Sequence, residues 1–145
     1  QLEADVPVGG GKTEAMQRYY HPMSKVTDAG IVDLLIRVYL RNMQNPQGGA
    51  FTQFIDRMQE EQLMRVTAVA GYIHYIGGSR FAVRSSETGL MEERQYSKVG
   101  MIAAGSGLTP MFQLIQTVAD EPLGMRDTTA LSLIYSCASP VSDTV

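Results

Sequence analysis

The sequence predicts a two-part chain, a small antiparallel β-barrel followed by a parallel α/β unit, and three observations predict it. Short β-branched and aromatic pieces, "RVTAV", "YIHYI" and "RFAVR", are separated by Gly71 and by Gly77, Gly78 and Ser79, the pattern of an antiparallel meander. Further on the period changes. "KVGMIAA" is a continuous apolar run, "GSG" a turn, "TPMFQLIQTVA" an amphipathic helix and "TALSLIYS" a second apolar strand. Strand, helix, strand is a βαβ unit, which requires a parallel sheet and a right-handed crossover. Between the two parts lies the polar, charged stretch "SSETGLMEERQYS", residues 85–97, expected to connect them.

In chain order, residues 1–17, "QLEADVPVGGGKTEAMQ", show no periodicity and are expected to be a flexible lead-in. Their "GGGKT" is not a nucleotide-binding P-loop, because the pattern needs a glycine five residues before Gly11 and Val6 stands there. "GIVDLLIRVYL", Gly30 to Leu40, is apolar and β-branched, interrupted by Asp33 and Arg37, and predicts a strand buried on one face. The Asn, Pro and Gly of "RNMQNPQGG" predict a turn. "AFTQFIDRMQEEQLM" then places Phe51, Phe54, Ile55 and Met58 at helical spacing, with both phenylalanines assigned to the core. Gly48 and Gly49 stand at the mouth of that helix, where unpaired backbone N–H groups suit an anion. The loop "DEPLGMRD", Asp120 to Asp127, leads into the last strand.

Composition narrows the function classes. A chain of 145 residues fits one compact domain or two small ones, and 44% hydrophobic with 19% charged residues is ordinary for a folded protein. Net charge is −3 with scattered Lys and Arg, so the basic footprint of a nucleic-acid binder is missing. The apolar runs "VGMIAA" and "ALSLIY" fall far short of the roughly 20 residues that span a bilayer. The single Cys137 excludes an internal disulfide and, beside an apolar strand, is expected to be packing. His21 and His74 lack Cys or acidic neighbours at ligand spacing, so no metal is expected.

The stretch "VGMIAAGSGLTPM", Val99 to Met111, carries the sharpest question. Glycines between a buried strand and a helix let a phosphate approach the backbone. Pro110 nevertheless stands where a third glycine would complete a dinucleotide fingerprint. The loop by itself fits a phosphate-holding turn and an ordinary strand-to-helix turn equally.

Four motifs taken together resolve more than any one. "RYYHPMS" (Arg18 to Ser24), "DLLIRVY" (Asp33 to Tyr39), "GGAFTQFI" (Gly48 to Ile55) and "VGMIAAGSGLTPM" stand in the order and approximate spacing of the NADH-cytochrome b5 reductase family, within the ferredoxin reductase-like flavoproteins. The resemblance runs from about Arg18 to Ser136. It implies a partial antiparallel FAD-binding barrel over residues 18–84, a linker over 85–97, and a partial Rossmann-like parallel α/β NAD-binding unit over 98–145. It also implies the cofactors FAD and NADH, with hydride transfer from NADH to FAD and single electrons passed on to a haem-protein acceptor.

By the same resemblance, Arg18 pairs with FAD phosphate and Tyr20 lies against the flavin, with Ser24 also in the cofactor site. Val38 and Tyr39 flank the FAD, although Tyr39 fits ordinary strand packing equally well. Gly48, Gly49 and Thr52 bind its pyrophosphate through backbone N–H groups and a hydroxyl. Arg37 stands where the family often has a lysine that helps hold NADH. Gly105, Gly107, Thr109 and Pro110 form the nicotinamide-side loop, and His21 and Thr109 are the implied catalytic residues.

The sequence departs from the family pattern at several points. His21 replaces a Ser or Thr whose hydroxyl approaches the flavin, and imidazole is larger and can carry charge near neutral pH. Tyr19 replaces a proline, and "AVAG", Ala68 to Gly71, replaces a Gly-Pro turn. The first barrel strands and the end of the nucleotide sheet are expected to be missing. That predicts a fragment of a longer protein or a reduced relative completed by neighbouring subunits. Two functions follow: an NADH-dependent flavoprotein, or a reductase-derived structural subunit of a larger membrane or mitochondrial complex. The expected compartment is intracellular, cytoplasmic or mitochondrial, with membrane attachment only through partners or further segments.

Overall fold

The computed structural model describes residues 1–46, 48–120 and 127–137. The expected loop "DEPLGMRD" lies outside the described residues except at its two ends, as does the chain after Cys137. The chain divides into two compact units. One comprises Gln1–Tyr20 and Leu35–Val69; the other comprises His21–Leu34 and the described residues from Ala70 onward.

The first unit is built on a hairpin of β1 (Leu2–Gly9) and β2 (Lys12–Arg18), in register Leu2↔Arg18 through Val6↔Glu14. This corrects the expected flexible lead-in. Leu2 and Val6 point to the same side of β1 by the two-residue period of a strand, and both are buried. β2 is exposed along nearly its whole length and shows no apolar alternation, whereas β1 carries one in Leu2, Ala4, Val6 and Val8 that the reading of residues 1–17 as irregular passed over. The glycine triplet is the hairpin turn: Gly9, Gly10 and Gly11 all have positive φ, a region open to glycine. No helix follows it, so the rejection of a P-loop stands.

The short strand β3 (Arg65–Val66) pairs with β1, Leu2↔Val66, giving a three-stranded antiparallel sheet in the order β2-β1-β3. Helix α1 (Ala50–Asp56) packs on β1 and buries Phe51, 2% exposed. Helix α1 is shorter than "AFTQFIDRMQEEQLM" predicts. The chain turns at Arg57, and Glu61 adopts φ 70°.

The expected strand Gly30–Leu40 forms no ladder. Its period-two pattern survives, with Leu34, Ile36 and Val38 half-buried between exposed neighbours, but within the first unit its Tyr39 backbone bonds to α1. Tyr39 N–H donates to Thr52 Oγ1 (3.1 Å), and Tyr39 O accepts from Gly49 N–H (2.8 Å) and Gln53 Nε2 (3.0 Å). An extended segment needs partners for its backbone polar groups, and here side chains and a helix mouth supply them in place of a strand.

In the second unit β4 (Ile73–Gly77), β5 (Arg80–Arg84) and β6 (Met91–Gln95) form an antiparallel sheet in that order. The hairpin β4–β5 agrees with the expected meander, but β3 has left it for the first unit. β6 corrects the expected connection 85–97: it pairs with β5 from Arg84↔Met91 to Arg80↔Gln95. Its charges Glu92, Glu93 and Arg94 suit an edge strand and hid it from an apolar-pattern reading. Phe81 is buried between Tyr75, at a ring distance of 5.1 Å, and Tyr96, at 5.8 Å.

β7 (Lys98–Ala104) and β8 (Ala130–Ser136) pair in parallel, Met101↔Leu133, and α2 (Leu108–Ala119) lies between them in sequence, as expected of βαβ. Met101 and Ala103 are buried. Ile102 and Ile134, paired across the other face, are 79% and 69% exposed. Cys137, expected to be packed, is exposed. Among the described residues no helix is long and apolar enough to cross a membrane.

Candidate functional site

The predicted site residues fall into two groups, one in each unit. In the first unit the end of β2 delivers Arg18, whose guanidinium lies over the Phe51 ring at 5.9 Å, while its Nη1 donates to Gln17 O (2.7 Å). Tyr20 stacks against the same ring, with centroids 6.5 Å apart and planes inclined by 18°. Phe51, read from sequence as core alone, is therefore also the platform that orients both side chains.

Burial raises the Tyr20 phenol above the ordinary tyrosine value of 10.0; the Arg18 charge works against that rise and Tyr39 adds to it. The phenol is neutral across the physiological range with or without that rise. Because its folded pKa is the higher, the unfolded chain ionises first. This stability is complete below pH 10.0 and is lost as pH rises through the folded value. The 295 nm titration of wild type minus Tyr20→Phe is expected to show a midpoint above 10.0; a midpoint at or below it would remove the buried phenol.

Around the mouth of α1, Gly48 has φ 64° and its N–H donates to Asn45 O (3.1 Å). Gly49 N–H is held by Tyr39 O. The Thr52 hydroxyl donates to Gly49 O (3.0 Å) while accepting from Tyr39. This corrects the expected donor set. The two glycine amides and the hydroxyl are committed inside the protein, and the helical ladder begins at Gln53 N–H to Gly49 O (2.9 Å). The amides outside the ladder are those of Ala50, Phe51 and Thr52. The glycines act through shape: a Cβ on Gly48 would collide with the Gln53 amide and approach Tyr39 O at 2.8 Å, and one on Gly49 would meet Thr52 Oγ1 at 2.6 Å.

Gln53, buried and bonded to Tyr39 O, was invisible in the sequence. Its only signal is a polar residue one helical step from the buried Phe51 and Thr52. Arg37 lies over the Tyr39 ring at 5.7 Å, and that ring is half exposed. Val38 is half-buried beside it. A guanidinium, flat aromatic surfaces and helix-mouth amides are the donor set a flavin nucleotide requires, so the first unit fits FAD.

In the second unit His21 is exposed. Ser24 is buried, its Oγ accepting from Asp33 N–H (3.0 Å) and its carbonyl from Gln113 Nε2 (2.5 Å) on α2. After β7 a single 3-10 turn, Gly105–Gly107, leads into α2. Gly105 has φ 50°, and a Cβ on Gly105 or Gly107 would meet nothing, so the outer face of the turn is open to a close ligand. Pro110 lies in the first turn of α2, where it removes an amide that the ladder does not use. Thr109, expected to be catalytic, is 4% exposed and donates its hydroxyl to Ser106 O (3.0 Å). It holds the turn in shape.

Comparison with known proteins identifies both parts of the chain. The oxidoreductase FAD-binding domain family matches residues 3–75, and the oxidoreductase NAD-binding domain family matches residues 101–143. The chain is 34% identical over 125 residues to human NADH-cytochrome b5 reductase 2, covering 85% of this chain and 44% of the relative. It is 37% identical over 122 residues to nitrate reductase [NADH] 1 of Oryza sativa subsp. japonica, covering 82% and 12%. The crystal structure of the cytochrome b5 reductase domain of Ulva prolifera nitrate reductase superposes with a TM-score of 0.84 at 25% identity, over 99% of this chain and 51% of that one. The chain thus spans less than half the length of the curated relatives quoted. With an FAD-binding domain matched ahead of an NAD-binding domain, on a fold shared with a reductase of known structure, the chain belongs to the NADH-cytochrome b5 reductase family of ferredoxin reductase-like flavoproteins.

Proposed function

We propose that the chain carries the FAD- and NADH-handling part of an NADH-dependent flavoprotein reductase that serves a haem-protein acceptor. The observation that carries this reading is the Arg18–Phe51–Tyr20 stack in the unit that also holds the glycine mouth of α1. When bound, FAD accepts hydride from NADH and releases electrons singly. Arg18 supplies a permanent charge and a planar donor fork for a phosphate. Tyr20, a neutral phenol at physiological pH, offers a ring face to the flavin. Tyr39 and Arg37 offer a second aromatic and cationic surface, and the amides of Ala50, Phe51 and Thr52 receive the pyrophosphate. The open turn at Gly105 and Gly107 takes the nicotinamide nucleotide, with Thr109 as its buried support. The reading places the protein inside the cell, in cytoplasm or mitochondria.

A visible absorption spectrum before and after anaerobic NADH tests this reading. A flavin band that bleaches is expected; a correctly folded protein with no flavin band after incubation with FAD would overturn it. Arg18→Gln is expected to weaken FAD binding about tenfold, the cost of one charge-assisted bond to phosphate, read by fluorescence titration.

One observation favours a second reading, a reductase-derived subunit completed by neighbours. Parallel sheets are normally covered on both faces, and Ile102 and Ile134 lie open on one face of β7–β8. The same spectrum separates the two, since a scaffold has no need of flavin.

A further inference from the structure

The segment His21–Leu34 follows Tyr20 directly, yet it belongs to the second unit. The "RYYHPMS" motif is therefore divided between Tyr20 and His21. Residues 23–33 close on themselves as a loop. Met23 N–H donates to Asp33 O (2.8 Å), and Asp33 N–H donates to Ser24 Oγ (3.0 Å). Inside the loop Lys25 and Asp28 make a tight turn, each backbone N–H donating to the other residue.

The neck of this loop is tied to α2 at two places. Gln113 Nε2 donates to the carbonyl of buried Ser24 across 89 residues of sequence, and Lys25 Nζ pairs with Asp120 at 2.5 Å. The two ties are unequal. The hydrogen bond and ionic attraction to Asp120 hold the Lys25 ammonium above the ordinary lysine range, but the group is solvated, and exposed ion pairs contribute little. The Gln113 bond is part-buried, where a lost donor strands the carbonyl it served.

We propose that Gln113 is a positioning residue that fixes the His21–Leu34 segment to α2, so that His21 is held by the helix that begins at the Gly105–Pro110 turn. The inference rests on the proposed reductase reading for its significance, and on the fold alone for its geometry. His21 then answers to the nucleotide-side helix, although it adjoins Tyr20 in the chain.

Amide hydrogen exchange on the intact chain tests this. Gln113→Met, similar in length but without a donor, is expected to speed exchange at Met23 and Asp33 about fivefold to tenfold, leaving β1 and β2 unchanged. Gln113→Lys, which keeps an N–H donor, is expected to restore the wild-type rates, and Lys25→Met to change them less than about twofold. Unchanged exchange at Met23 and Asp33, or equal acceleration in β1 and β2, would overturn the proposal. If Gln113→Met does not fold, wild-type exchange in graded urea decides: the opening of Asp33 should follow that of α2, and opening with β1–β2 overturns the idea. None of these readouts needs flavin, so a chain that fails to bind FAD removes the reductase reading without touching this one.

Discussion

Gly48→Ala is expected to destabilise the first unit by about 2–4 kcal/mol, combining about 1 kcal/mol for an L-residue in the left-handed region with about 1–3 kcal/mol for overpacking. The residue has φ 64°, and its new methyl would meet the Gln53 side-chain amide, Tyr39 O at 2.8 Å and Arg41 N at 3.1 Å. Two of those three are backbone atoms. They can yield only by moving the Tyr39 peptide, which accepts from both Gly49 and Gln53.

Gly10→Ala is the matched control, because Gly10 has nearly the same φ, 61°, with nothing within 4 Å of a built Cβ. It should cost only the backbone part, about 1 kcal/mol. Urea denaturation followed by far-UV circular dichroism measures both. Equal costs would mean that the close packing at the α1 mouth contributes nothing. The same displacement would move Tyr39, and with it the Arg37 guanidinium at 5.7 Å. A loss of FAD affinity greater than the Arg18→Gln loss is therefore expected from a methyl that makes no contact with the nucleotide.

How much was legible in the sequence follows from which forces write local patterns. β7, α2 and β8 were found because a two-sided apolar strand and an amphipathic helix state their burial residue by residue. β2 and β6 were missed because edge strands are specified by their partners: β2 pairs with β1 and β6 with β5, while their own side chains face water. Gly30–Leu40 failed in the opposite sense. It has a strand's alternation, but α1 and a short loop satisfy its backbone, and a ladder partner is not a local property. At the candidate site, the family motifs imply Arg18, Tyr20, Gly48, Gly49 and Thr52 by residue type. They do not imply which of those groups remain available. The commitment of the Gly49 amide and the Thr52 hydroxyl to Tyr39 is a fact of tertiary placement, as is the burial of Thr109.

The second large effect is expected in the other unit, at Asp127. Its carboxylate receives Thr129 N–H (2.7 Å), the Thr129 hydroxyl (2.5 Å), the Ser79 hydroxyl (3.1 Å) and, at longer range, Ser79 N–H (3.4 Å). Ser79 and Thr129 are 5% and 7% exposed. Ser79 also sits at φ 63° in the β4–β5 turn, a conformation that a non-glycine residue holds only when its surroundings fix it. One side chain thus joins that turn to the start of β8. The Thr129 hydroxyl also lies 2.7 Å from Ser79 Oγ, so Asp127→Ala leaves the Thr129 amide and one of the two hydroxyls without an acceptor, at a cost of about 2–4 kcal/mol. Asp127→Asn keeps one carbonyl oxygen and should cost less, about 1–2 kcal/mol. Removing the exposed Arg65–Glu3 pair, 2.7 Å long and 72% exposed at Arg65, should cost under about 1 kcal/mol. The ranking matters more than any single value: a half-buried carboxylate serving several donors must outweigh an ion pair of similar length in water. Faster amide exchange in β5 and β8 of Asp127→Ala, with β1 and β2 unchanged, would locate the loss. A cost for Asp127→Ala no larger than that for Arg65→Ala would mean that water satisfies those donors as well as the carboxylate does.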